Sequence, residues 1–346
     1  MNHPSSCPDC NESGLTVNRR EFVRVLGSST AAVAAASALP GKLFAEENPR
    51  PASETLVKKL YDLLTPAQKE EICFAWDYTE EKRGLLRTRI SNNWNITKPT
   101  IGSDFYNSDQ QAMIRHIFES IIQPDWHKRI YKQLEDDAQG YGEQQSIAMF
   151  GKPGEKFEMV MTGRHMTLRC DGNSSEHVAF GGPIFYGHAA SGFNEKPNHP
   201  GNVFWHQALA ANKVYEMLDE KQRQRALVEK APREEAVSFQ GTGGQFPGIP
   251  IADMSSDQRA LVQEVLSKLI EPYRQSDRDE ALNCLKSQGG LDKCSLAFYR
   301  EGDIGNDQVW DNWRLEGPSF VWYYRGAPHV HVWVNVADDA SVKTNS

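Results

Sequence analysis

Positive charge, cysteine and long apolar runs are all scarce in this chain of 346 residues, and each scarcity narrows what it can be. The formal charge is −8, and Arg19, Arg20 and Arg24 sit near the N-terminus, so the remainder is more acidic still. That balance argues against nucleic acid as a partner. Beyond the first 45 residues no segment has the ~20 apolar residues a spanning helix needs. Of six cysteines, Cys7 and Cys10 form a CxxC with no second pair, which is weak evidence for zinc. Cys73, Cys170, Cys284 and Cys294 remain, and an exported protein permits disulfides; Cys284 and Cys294 flank the Gly289-Gly290 turn and either pair or stay as buried thiols. The chain also lacks a nucleophile elbow, a phosphate loop, an HExxH and a dinucleotide fingerprint. Ser191-Gly192 has no glycine before it, as an elbow would require.

The N-terminus reads as an address rather than as fold. Arg19-Arg20 precedes an apolar, Ala-rich run from Val23 to Ala38 that holds no acidic residue, the pattern of a twin-arginine export signal. A cut after Ala38 or after Ala45 fits equally. The expected organisation is an export signal over 1–45, a linker over 46–53, a first half over 54–180, a Gly- and His-rich crossover over 181–206, a second half over 207–340, and a loose tail over 341–346. The expected location is the periplasm or another extracytoplasmic space, with the twin-arginine translocase as a partner during export.

Two stretches of the mature chain repeat. Tyr61 to Leu64 with Gln68 recurs as Tyr215 to Leu218 with Gln222, 154 positions later. Ser108-Asp-Gln with Pro124 recurs as Ser256-Asp-Gln with Pro272, 148 positions later, and Gly163 falls opposite Gly317. Amphipathic helices open each half and strand-like pairs close it, Ser146 to Phe150 with Phe157 to Cys170, then Ser295 to Arg300 with Val309 to Tyr324. The expected fold is therefore α+β: an internally duplicated helix-helix-strand-strand module whose strands form one antiparallel sheet with helices packed on it.

The sharpest chemical signal is His329-Val-His331 within an alternating run from Gly317 to Asp339. Residues i and i+2 of a strand share a face, so both imidazoles point the same way, a spacing that suits zinc or copper if a third ligand arrives. His165, read on one face with Met161, Gly163 and Thr167, is the expected third ligand because Gly163 and Gly317 correspond. His177 is the runner-up. Three histidines leave a coordination position open, as catalytic metal sites do. Asp338 and Asp339 are candidates for general acid and base. The segment 181–206 is the longest irregular stretch and is expected to line a pocket through Tyr186, His188, Glu195 and Trp205. The plain alternative for the HxH is a pair of hydrogen-bonded strand histidines, and for the segment a crossover that covers a sheet edge.

GRHMTLRC, GGPIFYG, EGPSFVWYY and HVHVW together resemble the domain-of-unknown-function family 3500, bacterial proteins often exported with twin-arginine leaders. The resemblance runs from about Leu56 to Asp339. Where the family has a glycine followed by two histidines, this chain has Gly163-Arg164-His165, so only His165 carries over. The family's Asn-His-x-His stands here as Pro328-His329-Val330-His331, and its Arg-Asp after the tryptophan as Val334-Asn335. The resemblance implies a fold and the place of a site, and brings no activity.

These readings converge on an exported metal-binding protein, a metalloenzyme of the zinc hydrolase or copper oxidase type, acting on an unidentified small molecule or carbohydrate. The other class is a non-catalytic periplasmic or envelope ligand-binding protein.

Overall fold

Four capping boxes, each closed by a glutamine, start helices of the helical layer. Thr65 accepts the Gln68 N–H and Gln68 returns the bond to the Thr65 N–H, which separates α1 (Ala52–Leu63) from α2 (Pro66–Ile72). A computed structural model describes residues 52–189 and 199–345, so the segment expected to be an export signal and Glu195 lie outside the described residues. After α2 come β1 (Cys73–Phe74), β2 (Thr79–Glu80), β3 (Gly84–Leu85), α3 (Ser108–Ile121), α4 (His127–Ala138), β4 (Ser146–Gly151), β5 (Phe157–Gly163), β6 (Met166–Cys170) and β7 (Ile184–His188). The chain then runs through α5 (Trp205–Glu216), α6 (Glu220–Ala226), β8 (Leu227–Val228), β9 (Ile249–Pro250), α7 (Ser256–Ile270) and α8 (Gln275–Ser287). It closes with β10 (Ser295–Tyr299), β11 (Asn312–Gly317), β12 (Phe320–Arg325) and β13 (Val330–Val336).

Asp219 and Gln222 box α6 as Thr65 and Gln68 box α2. The starts of α3 and α7 carry further boxes, Asn107 with Gln110 and Ser255 with Gln258. Each cap therefore sits one residue earlier than the Ser-Asp-Gln triplet suggests, because the cap side chain must reach the N–H three positions on. The side chains of Gln68 and Gln110 bond each other at 3.0 Å, and those of Gln222 and Gln258 do so at 3.1 Å. Helix start is thereby tied to helix start in both parts of the chain.

One sheet of eleven strands runs β1-β4-β5-β6-β7-β13-β12-β11-β10-β8, with β9 on β10. It is antiparallel except where β1 joins β4 and β8 joins β10. The architecture is α+β. Strand β7 lies at the sheet's centre against β13, inside the segment read from sequence as an irregular crossover. Its Ile-Phe-Tyr core pairs fully with β13, and burial of its backbone demands such pairing. The run from Gly317 to Asp339 is likewise two strands, β12 and β13, and Met159 to Leu168 is broken at Arg164-His165.

The two sheet faces differ. Val330, Val332, Val334 and Val336 of β13 join the main core with α1, α3, α4, α5, α7 and α8. Trp333 points to the other face with Phe185 and Tyr323, under Ile90 and Val237 from two loops. A strand alternates faces, so His331 shares the loop-covered side with Trp333. The chain's end also packs there: Asn345 donates to the carbonyls of Arg83 and Leu85 at 2.6 and 3.0 Å, so residues expected to form a loose tail are tied to β3. All four described cysteines are free thiols. No helix among the described residues is long and apolar enough to cross a membrane.

Candidate metal centre

His329 and His331 enter at the start of β13, on one face, as a strand period of two dictates. His165 arrives from the turn between β5 and β6. Its φ of +52° is uncommon for a residue with a Cβ, and its N–H is held by the Asn92 carbonyl at 3.0 Å. Gly187 stands opposite His331 in the β7–β13 register. A Cβ at Gly187 would lie 2.2 Å from the Val330 carbonyl oxygen and 3.4 Å from the His165 Cβ, so only glycine lets the turn and the strand close around one point.

The Nε2 atoms converge. His165 Nε2 is 3.1 Å from His331 Nε2, and His329 Nε2 is 2.8 Å from it. One ligand atom from each of the three lies within 4.8 Å of the others, a group that can hold a metal ion. Tetrahedral zinc, with bonds of ~2.1 Å, sets ligand nitrogens about 3.4 Å apart, so the two separations from His331 Nε2 would each open by a few tenths of an ångström to take the ion.

Carboxylates orient two of the rings from behind. Asp137, in the last turn of α4, accepts from His165 Nδ1 at 2.9 Å, and Glu234, from the loop after β8, accepts from His331 Nδ1 at 2.7 Å. Each carboxylate fixes Nδ1 as the protonated nitrogen and leaves the Nε2 lone pair aimed at the centre. The Asp137 side chain is fully buried and also takes the Ala189 N–H. Burial alone would raise its pKa; the His165 hydrogen bond and charge outweigh that and hold it below the usual carboxylate value. Glu234 pairs with Arg325 and accepts from Trp333 Nε1 at 3.3 Å. Arg325 also lies 3.4 Å from His331 Nδ1, but its charge is engaged by Glu234.

Protons are kept off His329 and His331. Burial, then the neighbouring histidines, pushes His329 down to about 4; burial, His165 and Arg325 push His331 down to about 3. Neutral imidazoles with free Nε2 lone pairs are what zinc and copper take.

The other sequence candidates fall elsewhere. His188 is buried beside the centre's back wall and bonds Asp136 at 2.9 Å; burial lowers its pKa. Tyr186 and Trp205 are core residues; Tyr186 bonds Gln207 at 2.8 Å and, with His165, lines a cavity of only about 20 Å³. His177 bonds Asp338 at 3.1 Å beyond the far end of β13, and Asp339 caps the Ser341 N–H. These three are therefore remote from the histidine cluster. Sequence reasoning missed Asp137 and Glu234. The pair Asp136-Asp137 in the last turn of α4 was the available signal, since acidic residues there oppose the helix dipole and need another reason to be present.

The family described as "Protein of unknown function (DUF3500)" matches residues 46–335 of the chain. No curated protein and no solved structure matches it.

Proposed function

The chain belongs to the DUF3500 family, whose description carries no activity, and we propose that it is an exported metalloprotein with a catalytic zinc or copper site formed by His165, His329 and His331. The observation that carries this reading is the surplus of lone pairs at the cluster. His165 and His331 both give their Nδ1 protons to carboxylates, yet their Nε2 atoms face each other at 3.1 Å. One proton from His329 satisfies only one of them; a cation satisfies all three. Asp137 supplies a negative charge behind His165, and Glu234, whose charge is shared with Arg325, adds to it behind His331, which offsets part of a dication's charge in a partly dry setting.

Three imidazoles leave a position open to water or substrate. A zinc ion there would supply an activated water for hydrolysis, and a copper ion would supply one-electron chemistry. The protein's part is to hold the rings, keep them neutral and exclude competing protons. The twin-arginine signal suits this, because that route moves folded proteins and allows the metal to be chosen before export. The repeated capping boxes, the paired glutamines and the mirrored strand order also support an internal duplication, with the metal centre where the two halves meet at β7 and β13.

A non-catalytic binding protein is the second reading, favoured by a cavity of about 680 Å³ beside the cluster. Elemental analysis of protein purified through its export route, beside a His329→Ala/His331→Ala variant, decides between them. About one zinc or copper per chain, lost in the variant, is expected. No metal in either leaves the binding reading.

A further inference from the structure

Between β10 and β11 the chain reads EGDIGNDQVWD from Glu301 to Asp311, with four carboxylates and no lysine, arginine or histidine. Acidic loops are common, and most are simply solvated. Asp311 sets this one apart because it is 0% exposed. Its Oδ2 accepts the Ile304 N–H at 2.8 Å, while its Oδ1 is buried with no hydrogen-bond partner among the described residues. An ionised oxygen buried without a donor is costly, so the bare Oδ1 asks for a partner.

The side chains around it bring more negative charge. Asp303 comes within hydrogen-bonding reach of the Asp311 carboxyl, its Oδ1 lying 3.4 Å from the Asp311 nitrogen, and Asp307 adds a further like charge. None of the three aspartates makes an ion pair among the described residues. Burial, then Asp303 and Asp307, pushes Asp311 up to about 7 against the pull of the Ile304 bond. Two carboxyls placed in this way need a cation or a shared proton between them.

The chemistry of the loop narrows the cation. It offers carboxylates, the side-chain carbonyls of Asn306 and Gln308 and its main-chain carbonyls, with no imidazole or thiolate. Oxygen alone suits a hard ion, and calcium takes ~6–8 oxygens in irregular geometry where magnesium demands an octahedron. Among the described residues only the three histidines bring three ligand atoms within 4.8 Å of one another, so two carboxylates rather than three would anchor an ion here, with carbonyls and water completing its shell.

We propose that the loop between β10 and β11 binds one calcium ion through Asp303 and Asp311, with Asp307 adding charge beside it. The site uses none of the three histidines and does not rest on the reading of their cluster. Its effect reaches them through the main chain. The Asp311 carbonyl takes the Gly326 N–H at 2.9 Å, and Asn312 Oδ1 takes the N–H groups of Gly326 and Ala327 at 3.1 and 3.4 Å, in the turn that leads into His329. An ion that fixes Asp311 therefore also steadies that turn.

The test is calorimetric titration of the full mature chain, stripped of metal by a chelator, with calcium chloride and separately with magnesium chloride. Asp303→Asn and Asp311→Asn are titrated alongside, with folding checked by circular dichroism. Asp303 is half-buried and bonds only the Asp311 N–H, so its variant carries little risk to the fold. The expected result is one calcium per chain with a Kd of about 10⁻⁴–10⁻³ M, the range of extracellular calcium modules. Asp303→Asn should weaken it about tenfold or more, and calcium should raise the melting temperature of the parent but not of Asp311→Asn. Affinity in the His329→Ala/His331→Ala variant should stay within about threefold, so failure of the histidine reading leaves this site standing. No uptake at about 10 mM calcium, well above the expected Kd, would mean that a shared proton or water satisfies the pair and overturns the proposal. Uptake unchanged in both aspartate variants, or magnesium taken in preference to calcium, overturns it as well.

Discussion

His165 and His331 lie 166 residues apart in the chain and aim their Nε2 atoms at each other across 3.1 Å. Each is held from behind by a carboxylate, Asp137 for one and Glu234 for the other. A pair of neutral rings placed so has lone pair against lone pair, and only a proton or a metal ion between them makes the contact favourable.

Removing the carboxylates without removing the ligands should loosen the metal rather than abolish its binding. Asp137→Asn and Glu234→Gln keep the shape but reduce the basicity of the rings, and each is expected to weaken metal affinity by about 10- to 100-fold. Competition with a chromophoric chelator reads this. Affinity unchanged in both variants would mean that the rings are not oriented from behind.

The pH dependence follows from the depressed histidines. A ring with an ordinary pKa near 6.5 binds its proton in the unfolded chain long before His329, at about 4, or His331, at about 3, does so in the fold. The unfolded state then holds more protons, so the metal-free protein loses stability as pH falls from about 6.5 toward 4 and regains it as pH rises. Metal uptake should persist to about pH 5, because protons compete poorly for these rings. Denaturant melts of the metal-free chain across that window, compared with His331→Phe, check the sign. An equal slope in the variant would remove His331 from the account.

A buried carboxyl gives the opposite slope. Burial and the neighbouring Asp171 raise Glu280 to about 8, while its Oε2 accepts the Phe180 N–H at 2.8 Å. Its contribution is full below the ordinary carboxyl value and is lost as pH rises toward 8. Glu280→Gln keeps the acceptor without the charge, so the variant should match the parent near pH 4.5 and exceed it at pH 8 by on the order of 2 kcal/mol. Melts that run parallel across this range would show that Glu280 ionises freely.

A third buried charge is structural. Arg169 is buried at the β6–β7 join, bonds Glu158 at 2.8 Å and gives further bonds to the carbonyls of Pro183 and Arg89. Arg169→Met leaves Glu158 with Arg87 alone as its cation and removes the donor from three carbonyls, those of Pro183, Arg89 and Arg87, and should cost about 3–5 kcal/mol. Arg169→Met together with Glu158→Gln should recover part of that loss, since the uncompensated charge is gone.

What the sequence disclosed, and what it withheld, divides along physical lines. The strand period made the shared face of His329 and His331 legible, and the expected correspondence of Gly163 with Gly317 pointed to His165 as their mate. The route was imperfect: His165 sits on a turn with positive φ rather than in a strand, a conformation no periodicity signals. Strand β7 was hidden because Gly181-Gly182-Pro183 before it and the Gly- and Pro-rich run after it look like loop, and its partner β13 lies over 140 residues on. Asp137 and Glu234 were illegible for a different reason. An acidic residue on a helix end or in a loop reads as solvated, and only the folded chain shows that each points inward at an imidazole.

The measurement that bears most directly on the central claim is anomalous diffraction from crystals of the metal-loaded protein at the zinc and copper edges. One peak about 2.1 Å from the Nε2 atoms of His165, His329 and His331 is the predicted result. A fully loaded crystal with no peak between those three rings, or with its ion held elsewhere, would contradict the account.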